Sequence, residues 1–234
     1  MPLISFHLFH LRMIPVPTVA GILFFTLIGC GSLSAVVYAL PNFLAVNSPV
    51  RHGLLVVEGW VSLPSLRMAA DTFQQGGYEA IVVSGGPIEG NFCRSGFSTY
   101  AERAAYELKQ LGIADAQIIV APAPASAQDR TYRSSVSVRQ LLESQGRKVT
   151  AFDLFSSGPH TRRSRNLYQL AFGKHVEVGT IAAPPSTYDF SHWWRSSAGV
   201  KEVLAEGIAY AWTLCCFEPG KQGSWEEAWG NGRK

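Results

Sequence analysis

The residues best suited to chemistry lie in Phe155-Ser156-Ser157-Gly158-Pro159-His160-Thr161-Arg162-Arg163-Ser164-Arg165. A mostly apolar run, Val149 to Phe155, enters a small-residue turn there, and His160 stands where a helix would begin. Open amides at a helix N-terminus favour negative charge, and the basic side chains add to it. An imidazole in that position can move a proton or donate to a phosphate or carboxylate. Arg163, three residues on and close to the same helix face, can grip an oxyanion with two parallel hydrogen bonds. Arg162 and Arg165 are expected on a solvated face.

Further candidates sit where other apolar runs end. Glu58 is the lone acid of a strongly apolar stretch and is a candidate base or hydrogen-bond acceptor, with Gly59 beside it. Ser84, Gly85 and Gly86 follow a second apolar run, and the two glycines allow close backbone approach or an anion-binding nest of amides. Asp129, Arg130 and Thr131 precede a helix, with Asp129 a candidate to orient His160. A Ser84/His160/Asp129 hydrolase triad is disfavoured because Ser84 lacks the GxSxG elbow that exposes a serine nucleophile. Thr99 and Glu102 have the spacing of a capping box, which gives Glu102 a structural role. No GxGxxG follows the first strand and there is no GxxxxGK[ST], which argues against standard dinucleotide and P-loop sites.

These residues require a particular framework. From Leu54 onward, short apolar runs alternate with amphipathic segments. Strands are expected at Leu54–Val57, Ala80–Val83, Gln117–Ala121, Lys148–Phe155 and Val176–Ala182. Helices are expected at Leu63–Gln75, Thr99–Leu111, Thr131–Ser144 and Thr161–Phe172. Such alternation implies βαβ units, and hence an α/β, Rossmann-like doubly wound domain on a mainly parallel five-stranded sheet. Ligands of such sheets bind beyond the carboxyl ends of the strands, where the polar and glycine residues above collect. A last helix, about Gly199 to Cys216, carries an apolar face of Val200, Val203, Leu204, Ile208, Ala211 and Leu214. That face is expected to pack on the sheet, with contact to a membrane as the alternative.

Of the 234 residues, 47% are hydrophobic and only 16% are charged, which suggests a membrane segment. No charged residue occurs between Arg12 and Arg51, and the run Thr18 to Leu40 is long enough to cross a bilayer as a helix. Signal-peptidase processing near Ser32-Leu33-Ser34 and lipidation at Cys30, in Leu27-Ile28-Gly29-Cys30, are alternatives to an uncleaved anchor. The resulting organisation is an N-terminal flank (1–17), a transmembrane helix (18–40), a linker (41–49), the α/β domain (50–217) and a polar tail (218–234) expected to be poorly ordered. The net charge of +3 is small and scattered, which argues against a nucleic-acid partner. The cysteines, Cys30, Cys93, Cys215 and Cys216, have no metal-ligand spacing, and adjacent cysteines seldom pair.

The anchor, Val57-Glu58-Gly59, Val82-Val83-Ser84-Gly85-Gly86, and a strand followed by Ser156-x-x-x-His160-x-x-Arg163 together resemble the bacterial ElyC/SanA/YdcF family. The resemblance covers about Leu54 to Pro184 plus the anchor. It implies a Rossmann-like domain tethered by a single span to the bacterial inner membrane, with the domain outside the cytoplasm. It also implies a role in the cell envelope, in peptidoglycan or lipid-carrier-dependent glycan synthesis, with a phosphorylated glycan or lipid-linked intermediate as ligand. A non-catalytic scaffold or sensor is the alternative function. No cofactor is implied beyond S-adenosylmethionine, a nucleotide-type ligand that Rossmann-like domains often hold. Where the family often has Asn-Thr-x-Glu-Asn, this chain has Arg130-Thr131-Tyr132-Arg133-Ser134, so a more cationic site and an anionic ligand are expected.

Overall fold

The structure is a computed structural model that describes residues 15–88, 96–224 and 227. Most of the expected N-terminal flank, the loop holding Cys93, and the tail beyond 224 apart from Glu227 lie outside the described residues. The chain divides into two compact units, Met1–Ala39 and Leu40–Lys234. The first unit holds most of helix α1 (Val19–Leu44), an apolar helix with a mean hydropathy of 2.1 over its 18-residue core and no buried residue in that window. Its length and composition suffice to cross a bilayer, and a signal sequence has the same character. The helix does not stop at Pro41 but runs through it to Leu44, and Ala45 N donates to Pro41 O at 2.8 Å.

The second unit is built on five parallel strands: β1 (Gly53–Glu58), β2 (Tyr78–Gly85), β3 (Ile118–Pro122), β4 (Ala151–Ser157) and β5 (Glu177–Ala183). Their order across the sheet is β3-β2-β1-β4-β5. Helices α2 (Leu63–Gln74) and α3 (Tyr100–Gln110) carry the chain outward from β1 to β3. Helix α4 (Arg130–Ser144) returns it to β4 beside β1, and α5 (Thr161–Phe172) leads on to β5. Alternate residues of each strand feed two cores. Leu55, Val57, Ile81, Val83 and Phe155 pack with Leu66, Phe73, Ala104 and Leu108 of α2 and α3. Val56, Val82, Phe152 and Leu154 pack with Val136, Leu142, Leu167 and Tyr168 of α4 and α5. Helices on both faces explain why the strands are apolar throughout rather than alternating.

The helix starts are written locally. Ser62 Oγ accepts from Ser65 N to begin α2. Thr99 and Glu102 form both halves of the capping box of α3, at 3.1 Å each. Strand β4 begins three residues later than the expected strand at Lys148 and extends through Ser156 and Ser157, whose backbones continue the ladder against Ala182 and Ala183. The stretch expected as a linker is joined to the sheet. Ser48 and Thr180 exchange backbone hydrogen bonds of 2.9 and 3.1 Å, and buried Asp153 accepts from Val50 N and Arg51 N, both at 2.8 Å, and from Tyr78 O–H at 2.6 Å.

Helix α6 (Ser197–Cys215) corrects an expectation. Of its apolar face only Val203 is buried, while Leu204, Ile208 and Leu214 are exposed. Both sheet faces are already covered by helices α2 to α5, so α6 lies at the strands' carboxyl end, against α5 and the short turn Gly158–His160. Three smaller expectations also change. Arg162 stacks on Phe43, 4.0 Å from its ring centroid, and Arg165 Nε donates to Val178 O at 2.9 Å, so neither is simply solvated. Cys215 and Cys216 are joined in a disulfide. In the tail, Glu227 is buried and paired with Arg139 at 2.5 Å.

Candidate functional site

The strand order reverses between β1 and β4, and that switch point is where open parallel sheets leave a crevice. The residue ending β1 is Glu58, only 2% exposed. Its two carboxylate oxygens accept from Ser156 Oγ at the end of β4 and from Ser164 Oγ in the first turn of α5, the latter at 3.0 Å. A carboxylate removed from water needs such donors. Below it Ser84 Oγ bonds the hydroxyl of fully buried Tyr168 at 2.9 Å. Burial first, and then the charge of Glu58, push the Tyr168 hydroxyl far above its ordinary pKa, so it stays protonated. Ser84 Oγ is thereby committed to Tyr168, not presented as a nucleophile.

His160 is the N-cap of α5 and is mostly buried. Its Nδ1 lies 2.8 Å from Glu206 Oε1 of α6. A carboxylate only accepts, so Nδ1 carries a proton toward it. Arg163 donates to the same carboxylate from Nε at 2.8 Å and from Nη2 at 3.1 Å. The 3.0 Å separation of Arg163 Nη2 from His160 Nδ1 is then a close approach between two donors that share one acceptor. Burial would raise the Glu206 pKa, but the hydrogen bonds and charges of His160 and Arg163 outweigh it and bring it down to about 2. With Nδ1 so engaged, Nε2 is left facing Thr131 Oγ1 at 3.4 Å and Glu58 Oε1 at 3.8 Å. The ring also meets Trp60 edge-to-face, 5.0 Å between centroids.

These groups form one wall of a cavity of about 1090 Å³. Ser84, Gly85, Gly86, Asp129, Arg130 and Thr131 line it too, so nine of the ten residues singled out in the sequence meet there. Gly59 does not. Its amide donates to Ser84 O, and a Cβ on it would stand 2.6 Å from Tyr100 O, so it serves the close approach of β1 to α3. Gly85 has a similar constraint, 2.8 Å from Tyr100 Cβ, whereas a Cβ on Gly86 would meet only ordinary contacts, Ala123 O at 3.8 Å and Pro124 O at 3.9 Å. Asp129 caps α4 in the left-handed region (φ 52°) and its side chain does not bond the first-turn amides. Burial raises its pKa against the opposing charge of Arg163. Those amides and Arg130 thus present the positive end of α4 to the cavity.

Two expectations are corrected by this geometry. Glu206, not Asp129, orients His160, and Arg163 spends its fork on Glu206 rather than on a ligand. The cavity is also not predominantly cationic. Glu58, Asp129 and Glu206 face Arg130, Arg163 and His160, and Arg133 does not line it. Little in the sequence marks Glu206, which sits 46 residues after His160 on a helix dominated by apolar residues. The one available signal is that Glu202 and Glu206 are the sole acids in that helix.

An imidazole fixed by a carboxylate through one nitrogen, with the other nitrogen at a cavity wall, is an arrangement that can transfer a proton. Comparison of this chain with family models, with curated proteins and with solved structures found no match.

Proposed function

We propose that this chain is a membrane-anchored bacterial envelope protein related to the ElyC/SanA/YdcF family, and that its cavity binds and processes a phosphorylated glycan or lipid-carrier intermediate. His160 is its general base or acid. The observation that carries the reading is the Glu206–His160–Nε2 arrangement at the switch point between β1 and β4. In this reading a phosphate is held by the open first turn of α4 and by Arg130, and Thr131 and His160 Nε2 flank the hydroxyl or water that gives up a proton. Arg163 and Glu58 are positioning residues. Arg163 braces Glu206, and Glu58 ties the ends of β1, β4 and α5 together. The N-terminal helix is the anchor that keeps the domain beside lipid-borne substrates.

The test uses the full chain in lipid nanodiscs with farnesyl diphosphate as a short prenyl diphosphate probe. Calorimetry reads binding and phosphorus NMR reads conversion. Arg130→Ala is expected to weaken binding roughly tenfold, the worth of a charge-assisted contact. His160→Ala is expected to bind within about twofold of wild type while conversion falls by about 10² or more. Conversion unaffected by His160→Ala would remove the proton-transfer role. Binding without conversion in wild type would favour the scaffold or sensor reading, and heat from S-adenosylmethionine in place of the diphosphate would reassign the ligand.

A further inference from the structure

Helix α6 has two dissimilar sides. Glu206, Ala209, Trp212 and Thr213 turn to the cavity, and Glu202 to a smaller one beyond His160. The opposite side is apolar and uncovered: Leu204 is 44% exposed, Ile208 72% and Leu214 62%. That side carries no acid, because both acids of the helix are on the cavity side, while Lys201 near the start of the helix and Arg195 just before it are exposed. A contiguous apolar face of this kind marks a contact surface. We infer that the outward face of α6 rests on the phospholipid bilayer, at the level where α1 leaves it. The inference builds on the reading of α1 as an uncleaved anchor.

What identifies the bilayer as the occupant is the end of α1 itself. A helix of 26 residues is about 39 Å long, whereas the hydrocarbon layer is about 30 Å thick. The last residues therefore emerge into the headgroup region, and those residues pack on α6. Leu40 approaches Gly207 closely enough that a Cβ there would stand 3.5 Å from it, and Phe43 meets Tyr210 edge-to-face at 5.6 Å. Chain connectivity alone then puts the neighbouring turn, with Leu204 and Ile208, within a few residues' length of the lipid. Exposed apolar side chains with flanking basic residues are the composition of a helix lying in that interface. The cavity on the other side of α6 consequently opens close to the membrane surface.

Nitroxide accessibility in the full chain, reconstituted into vesicles of phosphatidylcholine and phosphatidylglycerol, tests this. One protein carries the label on native Cys30 with Cys93→Ser. A second carries Ile208→Cys, and a third Leu204→Cys, each with Cys30→Ser and Cys93→Ser. Arg147→Cys in the same background, exposed at the opposite end of the sheet, is the aqueous reference. The expected result is that oxygen is favoured over a water-soluble nickel chelate at positions 30, 204 and 208, with the ratio reversed at 147. A lipid-facing label at 30 with aqueous labels at 204 and 208 overturns the inference and leaves the anchor standing. Labels at 204 and 208 shielded from both reagents overturn it in favour of a covering protein or second copy. An aqueous label at 30 removes the anchor and the inference with it.

Discussion

The Glu206 clamp makes a prediction about acid stability that can be worked from the geometry. Glu206 is held at about 2 against an ordinary 4.5 because the folded protein surrounds its charge with His160 and Arg163. A carboxyl group depressed on folding contributes stability that is fully present above its unfolded value. That stability is lost as pH falls through the folded one. The window is therefore about pH 4.5 down to about pH 2, and at about 1.4 kcal/mol per pH unit the contribution is on the order of 3 kcal/mol. Glu206→Gln removes the titrating group while keeping its shape. Urea unfolding, followed by tryptophan fluorescence at steps from pH 7 to pH 2, should show two things. At pH 6 the variant should be less stable by about 3 kcal/mol, because Arg163 and His160 are left with a neutral partner. Between pH 4.5 and pH 2 the gap should close as wild type loses what the variant never had. Titration of Asp129, whose burial raises its pKa, is common to both proteins and cancels in the difference, whereas Glu202, raised by burial and then by the charge of Glu206, loses the second cause in the variant. Two curves that run parallel through this window would refute the assignment of Glu206 as the charge that fixes His160.

Three further outcomes follow from contacts already described. Ser84→Ala leaves the hydroxyl of fully buried Tyr168 without its partner, and urea midpoints should report a loss of about 1–3 kcal/mol. Gly59→Ala forces a Cβ to within 2.6 Å of Tyr100 O and 2.8 Å of Ser84 O; thermal unfolding should show a loss of about 1–3 kcal/mol, with no gain from the reduced chain entropy. Asp153→Ala strips the acceptor from Val50 N, Arg51 N and Tyr78 O–H, and hydrogen exchange should quicken at Val50 and Arg51 ahead of the strand cores.

Much of this architecture was legible because local physics wrote it. Apolar runs bounded by glycine, and caps such as Ser62 and the Thr99/Glu102 box, act over a few residues and can be read from them. His160 and Glu58 stood out because they end apolar strands, and the parallel-sheet rule then put them on one side. What was not legible was set by tertiary structure. The strand order decides that β1 and β4 are neighbours, so the bond from Ser156 to Glu58, 98 residues apart, has no local signature. Arg163 reads as a ligand-binding fork only while Glu206 is unknown. Helix α6 reads as a sheet-packing helix only while the covering of both faces by α2 to α5 is unknown. The expected span ends at Leu40, just before Pro41, yet a proline one turn from a helix end removes a single backbone bond and the helix tolerates it.

The position of β4 also governs the order in which the molecule can be put together. The units from β1 to β3 are sequential, whereas the pairing of Leu54 with Phe152 and Val57 with Phe155 closes a loop of about a hundred residues, and such non-local closure is slow. Until it happens Glu58 ends an edge strand and keeps its water. When β4 docks in register, the same step that buries the carboxylate delivers Ser156 to it. A slip of one residue would point Ser156 to the opposite face and leave the charge buried without that hydroxyl, so the misregistered sheet is penalised at the very carboxylate the site is built around. Glu58 thus acts as a proofreader of strand alignment, and a chain that has passed it has assembled its cleft in the same event.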